Sequence, residues 1–257
     1  MKVAILAGGR GTRLSEETVT TPKPMIEIGH MPILWHIMKI YAHQGFKEFV
    51  ILLGYKGDVI KRFFAEYASI SGDLSIDLKT GTVVRRALDD GADWTVHLVD
   101  TGLETNTGGR VGRASHLLGD ATFMITYGDG LADIDLGALL DHHSKHGAAA
   151  TITAVHPPAR FGEVRFRGDR VEGFAEKAQT SEGWINGGFM VCEPRILSQL
   201  KSDAAVLEVD GLEALARAGD LSAYRHAGFW QCMDTLRDKT QLNAMWDHDH
   251  APWKIWP

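Results

Sequence analysis

Three glycines directly after a short apolar stretch constrain this chain more than any other feature. Residues 3–7 form a continuous apolar run, as in a buried strand, and Gly8, Gly9 and Gly11 come next. Because glycine has no Cβ, the backbone there turns sharply and brings its N–H groups against a ligand. A row of such groups forms a cradle for an anion. The sequence therefore predicts a strand that ends in an anion-binding loop.

Two cationic side chains accompany this loop. Arg13 follows the last glycine closely, and Lys23 stands between Pro22 and Pro24. An ordinary glycine-rich turn between a strand and a helix is the alternative interpretation, but it gives no packing reason for these cations. Guanidinium and ammonium groups beside a cradle of N–H groups are typical of a polyphosphate site.

Composition limits the classes of protein to which the chain can belong. The 257 residues are 44% apolar and 23% charged, which is typical of a globular chain, and we expect a single domain over residues 1–257. The formal charge of −6 argues against a nucleic-acid partner. A polyanionic substrate therefore has to be held by local cations.

The cysteines and the apolar runs bear on the location of the protein. Cys192 and Cys232 lie far apart and form no Cys-x-x-Cys pair, so we expect both to be reduced. No apolar run has the length of a membrane span, and residues 3–7 are too few for a signal-peptide core. We expect a cytoplasmic protein with no membrane partner.

Alternating strand and helix patterns predict the fold class. Helical periodicity starts at Pro32, after the turn at residues 54–57, and at Leu136, and apolar runs predict strands over residues 3–7, 49–53, 95–99 and 123–126. This rhythm is typical of an α/β, Rossmann-like fold with a mixed, mostly parallel sheet and helices on both faces. Residues 71–94 interrupt it with the pattern of a β-hairpin, which we expect to be a small appendage or a subunit contact.

The second half of the chain has a mixed pattern. Short helices are predicted over residues 194–200, 208–218 and 235–247, and strands over residues 151–155, 163–166, 171–174 and 188–191. No internal repeat or linker divides this half from the first.

Two aspartates are candidate metal ligands. Asp129 stands between two glycines directly after the predicted strand over residues 123–126, and ligands of open parallel sheets bind at the carboxyl ends of strands. A carboxylate there, near a polyphosphate cradle, suits Mg²⁺. A plain Asp-Gly turn is the alternative. Asp234 precedes a helical run, so it suits either an N-cap or the second ligand of the same metal.

A second group of polar residues suits a sugar phosphate. Glu176 and Lys177 end a predicted strand, and Asn186 and Gly187 follow within ten residues. Lys177 suits a phosphate, whereas Glu176 and Asn186 suit sugar hydroxyls. Surface positions at a strand end and in a turn are the alternative for all four.

Other candidate chemistry has less support. The histidines at positions 142, 143, 146, 248 and 250 have no cysteines or acids at zinc-binding spacing, and we expect solvated positions for them. The chain has no Gly-x-Ser-x-Gly motif, which argues against serine hydrolase chemistry.

The order of these motifs resembles that of the sugar-1-phosphate nucleotidylyltransferases. The first motif covers residues 8–14 and 22–25, and the later ones are Gly128-Asp129-Gly130, Glu176-Lys177, Asn186-Gly187-Gly188 and Trp230 with Asp234-Thr235. The resemblance spans nearly the whole chain. Residues 34–39, 99–102, 107–110, 229–231 and 251–254 are similar to the branch that uses CTP and glucose 1-phosphate.

The resemblance implies an enzyme that forms CDP-glucose and pyrophosphate from CTP and glucose 1-phosphate. It implies Mg²⁺ held by Asp129 and Asp234, with Arg13 and Lys23 as catalytic residues. It implies a homo-oligomer, since the cytidylyl branch includes hexamers. The sugar phosphate would lie in the half over residues 151–257, against Glu176, Lys177, Asn186 and Gly187. The nucleotide would lie against Leu6, Ala7, Gly8, Gly9, Arg10, Gly11, Thr12, Arg13, Lys23, Thr107, Gly109, Arg110 and Gly128.

Two positions depart from the family pattern. Arg10 stands where leucine is common between the glycines, and it adds a cation near the phosphates. Ala178 stands where proline is usual after Glu176-Lys177, and it loosens the exit of that strand.

Three alternative functions differ in how well they fit these residues. UTP or dTTP in place of CTP stays open, because base choice rests on a few loop contacts. A non-catalytic sensor of sugar nucleotides has no need of the two cations and two aspartates. A dinucleotide-dependent oxidoreductase is disfavoured, because Leu14 stands at the third glycine position and no acidic residue lies near Ile33.

Overall fold

The computed structural model describes residues 1–14, 18–70, 72–86, 93–158, 163–175 and 183–257. Its strands are β1 Lys2–Ala7, β2 Glu27–Ile28, β3 Met31–Pro32, β4 Glu48–Leu53, β5 Asp73–Asp77, β6 Thr82–Arg86, β7 Thr95–Asp100, β8 Phe123–Tyr127, β9 Gly130–Ala132, β10 Ala150–Val155, β11 Glu163–Arg167, β12 Arg170–Ala175, β13 Ile185–Asn186, β14 Met190–Cys192, β15 Leu221–His226 and β16 Trp230–Cys232. Its α-helices are α1 Ile33–His43, α2 Gly57–Ile70, α3 Thr107–Arg113, α4 Ser115–Leu118, α5 Leu136–His146, α6 Ala214–Arg217 and α7 Leu236–Asp247. Short 3₁₀ helices cover Thr12–Leu14, Lys23–Met25 and Pro194–Gln199, and a π-helical segment covers Leu207–Glu213.

The central sheet is mixed and mostly parallel, as predicted. Its strand order is β13-β10-β14-β8-β1-β4-β7, and β15 pairs with β10. β1 lies between β4 and β8 in parallel, with Ile5 opposite Ile51 on one side and Thr126 on the other. β7 pairs in parallel with β4, and β15 pairs in parallel with β10. β13 and β14 run antiparallel to their neighbours. The predicted fold class is confirmed.

Both faces of the sheet are covered by apolar side chains. Val3 and Ile5 pack in one core together with Ile37 of α1. Ala4 and Leu6 pack in a second core with Val111 of α3. Successive side chains of a strand point to opposite faces. A strand buried on both faces therefore reads as a continuous apolar run, which explains the pattern of residues 3–7.

The structure corrects two element boundaries. Pro32 ends the short strand β3, and α1 begins one residue later at Ile33 instead of at the proline. β14 begins at Met190 instead of at residue 188. Gly188 and Phe189 have φ angles of 79° and 41°, and this left-handed backbone interrupts the extended conformation that a strand requires.

The predicted hairpin within residues 71–94 is present as β5 and β6, with Ser75 opposite Val84. Residues 71 and 87–92 lie outside the described part of the chain. The predicted strands near residues 163–166 and 171–174 pair as a second hairpin, β11 with β12. In the described parts of the chain, every helix is too short or too polar to cross a lipid bilayer.

The fold brings several loops to one edge of the sheet. β1, β4, β7 and β8 are parallel neighbours, so their carboxyl ends lie side by side. The loops that follow them begin at residues 8, 54, 101 and 128. Ligands of open α/β sheets bind beyond the carboxyl ends of strands. A ligand site is therefore expected at this edge of the sheet.

Candidate active site

A cleft of about 430 Å³ lies at this edge of the sheet. Of the predicted nucleotide-binding residues, it is lined by Leu6, Ala7, Gly8, Gly9, Gly11, Thr12, Lys23, Thr107, Arg110 and Gly128. Both predicted metal ligands, Asp129 and Asp234, line it as well. The fold thus gathers residues from distant parts of the chain into one cavity.

The glycine loop lies closely against the side chain of Arg110. A Cβ on Gly8 would stand 2.3 Å from Arg110 Nη1, and a Cβ on Gly54 would stand equally close. The carbonyl of Gly8 also accepts a hydrogen bond from the Tyr55 N–H at 3.1 Å. Gly11 has a φ of 61°, in the left-handed region that glycine adopts without strain. Gly8, Gly11 and Gly54 therefore have identifiable steric reasons to be glycine.

Arg110 joins the loops that follow three parallel strands. Its Nη1 donates to the Leu53 carbonyl at 3.0 Å and to Thr101 Oγ1 and the Gly102 carbonyl at 2.7 Å. Its Nη2 donates to the carbonyls of Gly8 at 3.1 Å and Leu103 at 3.2 Å. Burial lowers the pKa of Arg110, and the charge of Arg113 lowers it further. The guanidinium keeps its proton nonetheless and places a positive charge on the floor of the cleft.

Lys23 holds the two aspartates together. Its Nζ donates to Asp129 Oδ2 at 2.6 Å and also to Asp234 Oδ1, and its side chain is only 11% exposed. Burial lowers the pKa of Lys23, but the charges and hydrogen bonds of both aspartates outweigh it, and the pKa is raised. The ammonium group is therefore charged throughout the physiological pH range.

A short strand pair explains how Asp234 reaches Asp129. β9 and β16 run antiparallel, with Gly130 opposite Cys232. The N–H of Met233 donates to the carbonyl of Asp129 at 2.9 Å. Asp129 directly precedes β9, and Asp234 follows β16 after one intervening residue, so both lie at the same end of this ladder.

Asp234 is not the N-cap of α7. Thr235 is the N-cap, and it forms a capping box with Asp238. The Asp234 N–H itself donates to Asp238 Oδ2 at 3.0 Å. The Asp234 carboxylate instead pairs with Lys23, so the N-cap interpretation is wrong.

The two carboxylates fit a magnesium ion. One cationic group, the Lys23 ammonium, already lies within hydrogen-bonding distance of both, so a single cation at this place meets two anionic oxygens. Mg²⁺ is bound in many enzymes by one or two carboxylates together with substrate phosphates. Within the described residues, no group of three or more His, Cys, Asp or Glu side chains could hold a metal.

The predicted sugar-phosphate residues are described only in part. Asn186 Nδ2 faces Tyr127 Oη at 3.4 Å, and Asn186 Oδ1 accepts from the Gly188 N–H at 3.0 Å. The carbonyl of Gly187 accepts from Trp230 Nε1 at 2.8 Å. Glu176 and Lys177 lie outside the described residues.

Among the described side chains, two predicted nucleotide-binding residues, Arg10 and Gly109, do not line the cleft. Arg10 forms an ion pair with Glu104, and both side chains are more than half exposed. Gly109 packs against the backbone of residues 202–205, and its N–H donates to the Ala205 carbonyl at 3.0 Å. Arg13 lies in the 3₁₀ helix Thr12–Leu14, and its role stays a prediction.

Four lining residues were missed by the sequence patterns: Pro24, Thr105, Asn106 and Tyr127. Tyr127 is the last residue of β8 and immediately precedes Gly128, so its position at the carboxyl end of a strand was an available signal. Thr105 and Asn106 directly precede α3 and belong to no motif.

His143 contradicts the expectation of solvated histidines. It is 3% exposed, its Nδ1 lies 2.8 Å from Thr151 Oγ1, and its Nε2 lies 3.0 Å from Glu193 Oε1. The helical spacing of residues 136, 139 and 143 puts it on the buried face of α5 with Leu136 and Leu139. It is a hydrogen-bonded core residue.

Comparison with known proteins agrees with this geometry. A family model described as nucleotidyl transferase matches residues 2–235. The chain belongs to the nucleotidyl transferase family.

Individual relatives within this family share one name. The chain is 48% identical to a glucose-1-phosphate cytidylyltransferase of Salmonella typhimurium, over all of both chains. It is 43% identical to a probable glucose-1-phosphate cytidylyltransferase of Bacillus subtilis, again over all of both chains. These relatives confirm the resemblance drawn from the motifs.

Solved structures share the fold at low sequence identity. The crystal structure of HddC from Yersinia pseudotuberculosis has a TM-score of 0.68 and 22% identity, covering 95% of this chain and 99% of that one. A UDP-glucose pyrophosphorylase complexed with UDP-glucose has a TM-score of 0.68 and 15% identity, covering 96% and 98%.

Proposed function

We propose that this chain transfers a cytidylyl group from CTP to glucose 1-phosphate, giving CDP-glucose and pyrophosphate. The observation that carries the proposal is the meeting of the glycine loop, Lys23, Asp129 and Asp234 in one cleft. The relatives named glucose-1-phosphate cytidylyltransferase, at 43–48% identity over the whole chain, support the choice of substrates.

In the proposed reaction, a phosphate oxygen of glucose 1-phosphate attacks the α-phosphorus of CTP. The new bond is P–O between the two phosphates, and the bond between the α and β phosphates breaks to release pyrophosphate. A phosphate monoester has a second pKa of about 6, so the nucleophile is already ionised near neutral pH. No general base is required, and the enzyme has to position two anions that repel each other.

Different residues of the cleft are assigned to the two anionic substrates. The N–H groups of the glycine loop receive the triphosphate, and Lys23 and Arg13 stabilise its charge. Arg110 holds the Gly8 carbonyl and so orients the loop. We assign Lys177 to the incoming phosphate, and Glu176, Asn186 and Gly187 to the sugar.

Asp129 and Asp234 would hold the Mg²⁺ ion of the reaction. When bound, this ion supplies positive charge next to the attacked phosphate. The Lys23 ammonium forms ion pairs with the same two carboxylates and so holds them together. Lys23 is then placed to move from the aspartates to the triphosphate.

The other functions weighed from the sequence have less support. The relatives named above are cytidylyltransferases, and this supports CTP over UTP or dTTP as the nucleotide substrate. A non-catalytic sensor has no use for two carboxylates directed at a buried ammonium, a pair that is costly to keep together without it.

We also propose that the protein is a homo-oligomer. The hairpin of β5 and β6 exposes a group of large apolar side chains, which a two-stranded hairpin cannot bury by itself. They are Leu74, Ile76, Leu78, Val83 and Val84. Sedimentation analysis tests this, and a protein that stays monomeric at micromolar concentration contradicts it.

One assay tests the proposed reaction. Purified protein is mixed with Mg²⁺, glucose 1-phosphate and one of CTP, UTP, dTTP or ATP, and pyrophosphate release is followed. We expect CTP to give the highest kcat/KM, with little release when mannose 1-phosphate replaces glucose 1-phosphate. Release that is as fast with UTP as with CTP contradicts the assignment of the base.

A further inference from the structure

One carboxylate behind the cleft wall has no role in the reaction above. Glu208 belongs to the π-helical segment Leu207–Glu213 and is partly buried. Its Oε1 accepts a hydrogen bond from Tyr127 Oη at 2.6 Å, and its Oε2 accepts one from Thr107 Oγ1 at 2.7 Å. Tyr127 and Thr107 both line the cleft. A single side chain therefore joins the end of β8 to the start of α3.

These contacts determine the polarity of both hydroxyl groups. A hydroxyl has one hydrogen to donate, and Tyr127 and Thr107 each donate theirs to Glu208. Thr107 Oγ1 also accepts from the Leu207 N–H at 2.9 Å, and Tyr127 Oη faces Asn186 Nδ2 at 3.4 Å. What either hydroxyl can still offer a ligand is therefore an acceptor lone pair and not a hydrogen.

The surroundings of Tyr127 keep its hydroxyl protonated. Burial raises the pKa of Tyr127, and the hydrogen bond and charge of Glu208 raise it further. Hydrogen bonds to a carboxylate are short and about twice as strong as those between neutral groups. The two hydroxyls are therefore firmly oriented before a substrate binds.

We propose that Glu208 is a positioning residue that makes this wall of the cleft accept hydrogen bonds and not donate them. Such a wall receives the hydroxyl groups of a ribose or hexose and repels phosphate oxygens. It thereby leaves the phosphates to the hydrogen-bond donors that line the same cleft, the N–H groups of the glycine loop and the Lys23 ammonium. This assignment of substrate groups rests on the proposed function.

The first test needs binding but no turnover. Calorimetry measures the affinity of the protein for CDP-glucose, which carries sugar hydroxyls, and for pyrophosphate, which carries none. Glu208→Gln removes the charge and turns an amide N–H₂ toward one hydroxyl, so we expect CDP-glucose to bind about tenfold more weakly while pyrophosphate binds no more weakly than to the parent. Glu213→Gln, on the same segment but exposed, is the matched control. Unchanged affinity for CDP-glucose in Glu208→Gln overturns the proposal.

The second test uses the kinetics of pyrophosphate release. Glu208→Gln is expected to lower kcat/KM by about tenfold, the effect of losing one charge-assisted hydrogen bond. The loss is expected mainly as a higher KM, while the melting temperature stays near that of Glu213→Gln. Glu208→Gln combined with Tyr127→Phe and Thr107→Val is expected to be no worse than the hydroxyl variants alone. Losses that multiply in the combined variant contradict a role that acts through these hydroxyls.

The two tests separate the two proposals. A parent protein that forms no sugar nucleotide from any of the four nucleotides refutes the proposed function. The calorimetric comparison, which requires binding but no turnover, then still tests the role of Glu208. If Glu208→Gln does not fold, Tyr127→Phe and Thr107→Val, which keep the carboxylate, test the same wall. Unchanged kinetics in both refute the inference.

Discussion

Replacing Lys23 with methionine tests the role of the ammonium between the two aspartates. Methionine keeps an unbranched, flexible stem but removes the charge. The lost group donates to Asp129 Oδ2 at 2.6 Å and to Asp234, in a place where the side chain is only 11% exposed. Loss of one preorganised electrostatic group lowers turnover by about 10²–10³. We expect kcat to fall by at least this much in Lys23→Met, as in Lys23→Ala.

The same substitution is expected to strengthen metal binding. Lys23 occupies the space between the two carboxylates that we assign to Mg²⁺, so its loss removes a competing cation. Two unit charges that lie 4 Å apart interact with an energy of about 4 kcal/mol at an effective dielectric constant of 20, so a lysine ammonium at this distance repels a bound cation by about this amount. Even a third of this, about 1.4 kcal/mol, tightens Mg²⁺ binding tenfold.

Two measurements check this prediction. Calorimetry of Mg²⁺ binding to the nucleotide-free protein gives the affinity, and pyrophosphate release gives kcat. Lys47→Met, which removes an exposed lysine paired with Asp93, is the matched control and is expected to change neither. Turnover within a few-fold of the parent, together with unchanged Mg²⁺ affinity, refutes the reasoning about Lys23.

Further predictions concern the metal, the loop and the core. Asp129→Asn is expected to abolish Mg²⁺-dependent pyrophosphate release; an unchanged metal dependence would mean that Asp129 only forms a turn. Gly8→Ala places a methyl group on Arg110 and is expected to lower the free energy of unfolding by about 1–3 kcal/mol, whereas Gly9→Ala, with nothing within 4 Å of its Cβ, leaves it nearly unchanged in denaturant titrations. Burial lowers the pKa of His36 to about 4 from 6.5. The unfolded chain therefore binds more protons than the folded chain between these values, and stability is lost as the pH falls from 6.5 to 4, by about 3 kcal/mol. Thermal melts of His36→Phe are expected to lack this part of the pH dependence; an identical dependence contradicts the assignment to His36.

The sequence predicted the parts of the site that depend on local order. The apolar run over residues 3–7, the glycines after it and Asp129 after β8 follow from strand patterns and from the rule that ligands bind at the carboxyl ends of strands. Lys23 was identified by its flanking prolines and its closeness in sequence to the loop. Each of these signals lies within about twenty residues of the strand that it serves.

Other parts depend on contacts between distant segments. Asp234 reaches Asp129 through the pairing of β16 with β9, which are three residues each and leave almost no pattern. β15 was missed because Leu221–His226 is partly exposed and mixes polar with apolar residues. Glu208 belongs to no motif, and its role follows only from the two hydroxyls that it meets.

The contacts of Arg110 also depend on segments that are distant in sequence. The family resemblance placed Arg110 against the nucleotide, and the acceptors of its hydrogen bonds are four backbone carbonyls and a threonine hydroxyl. The positions of carbonyl groups come from the fold and cannot be read from residue types.

A crystal structure with Mg²⁺ and a CTP analogue that carries a methylene bridge between the α and β phosphates tests the central claim most directly. We expect the triphosphate against the glycine loop and Lys23, with a Mg²⁺ ion held by Asp129 and Asp234. Phosphates bound away from both the loop and the two aspartates contradict the account.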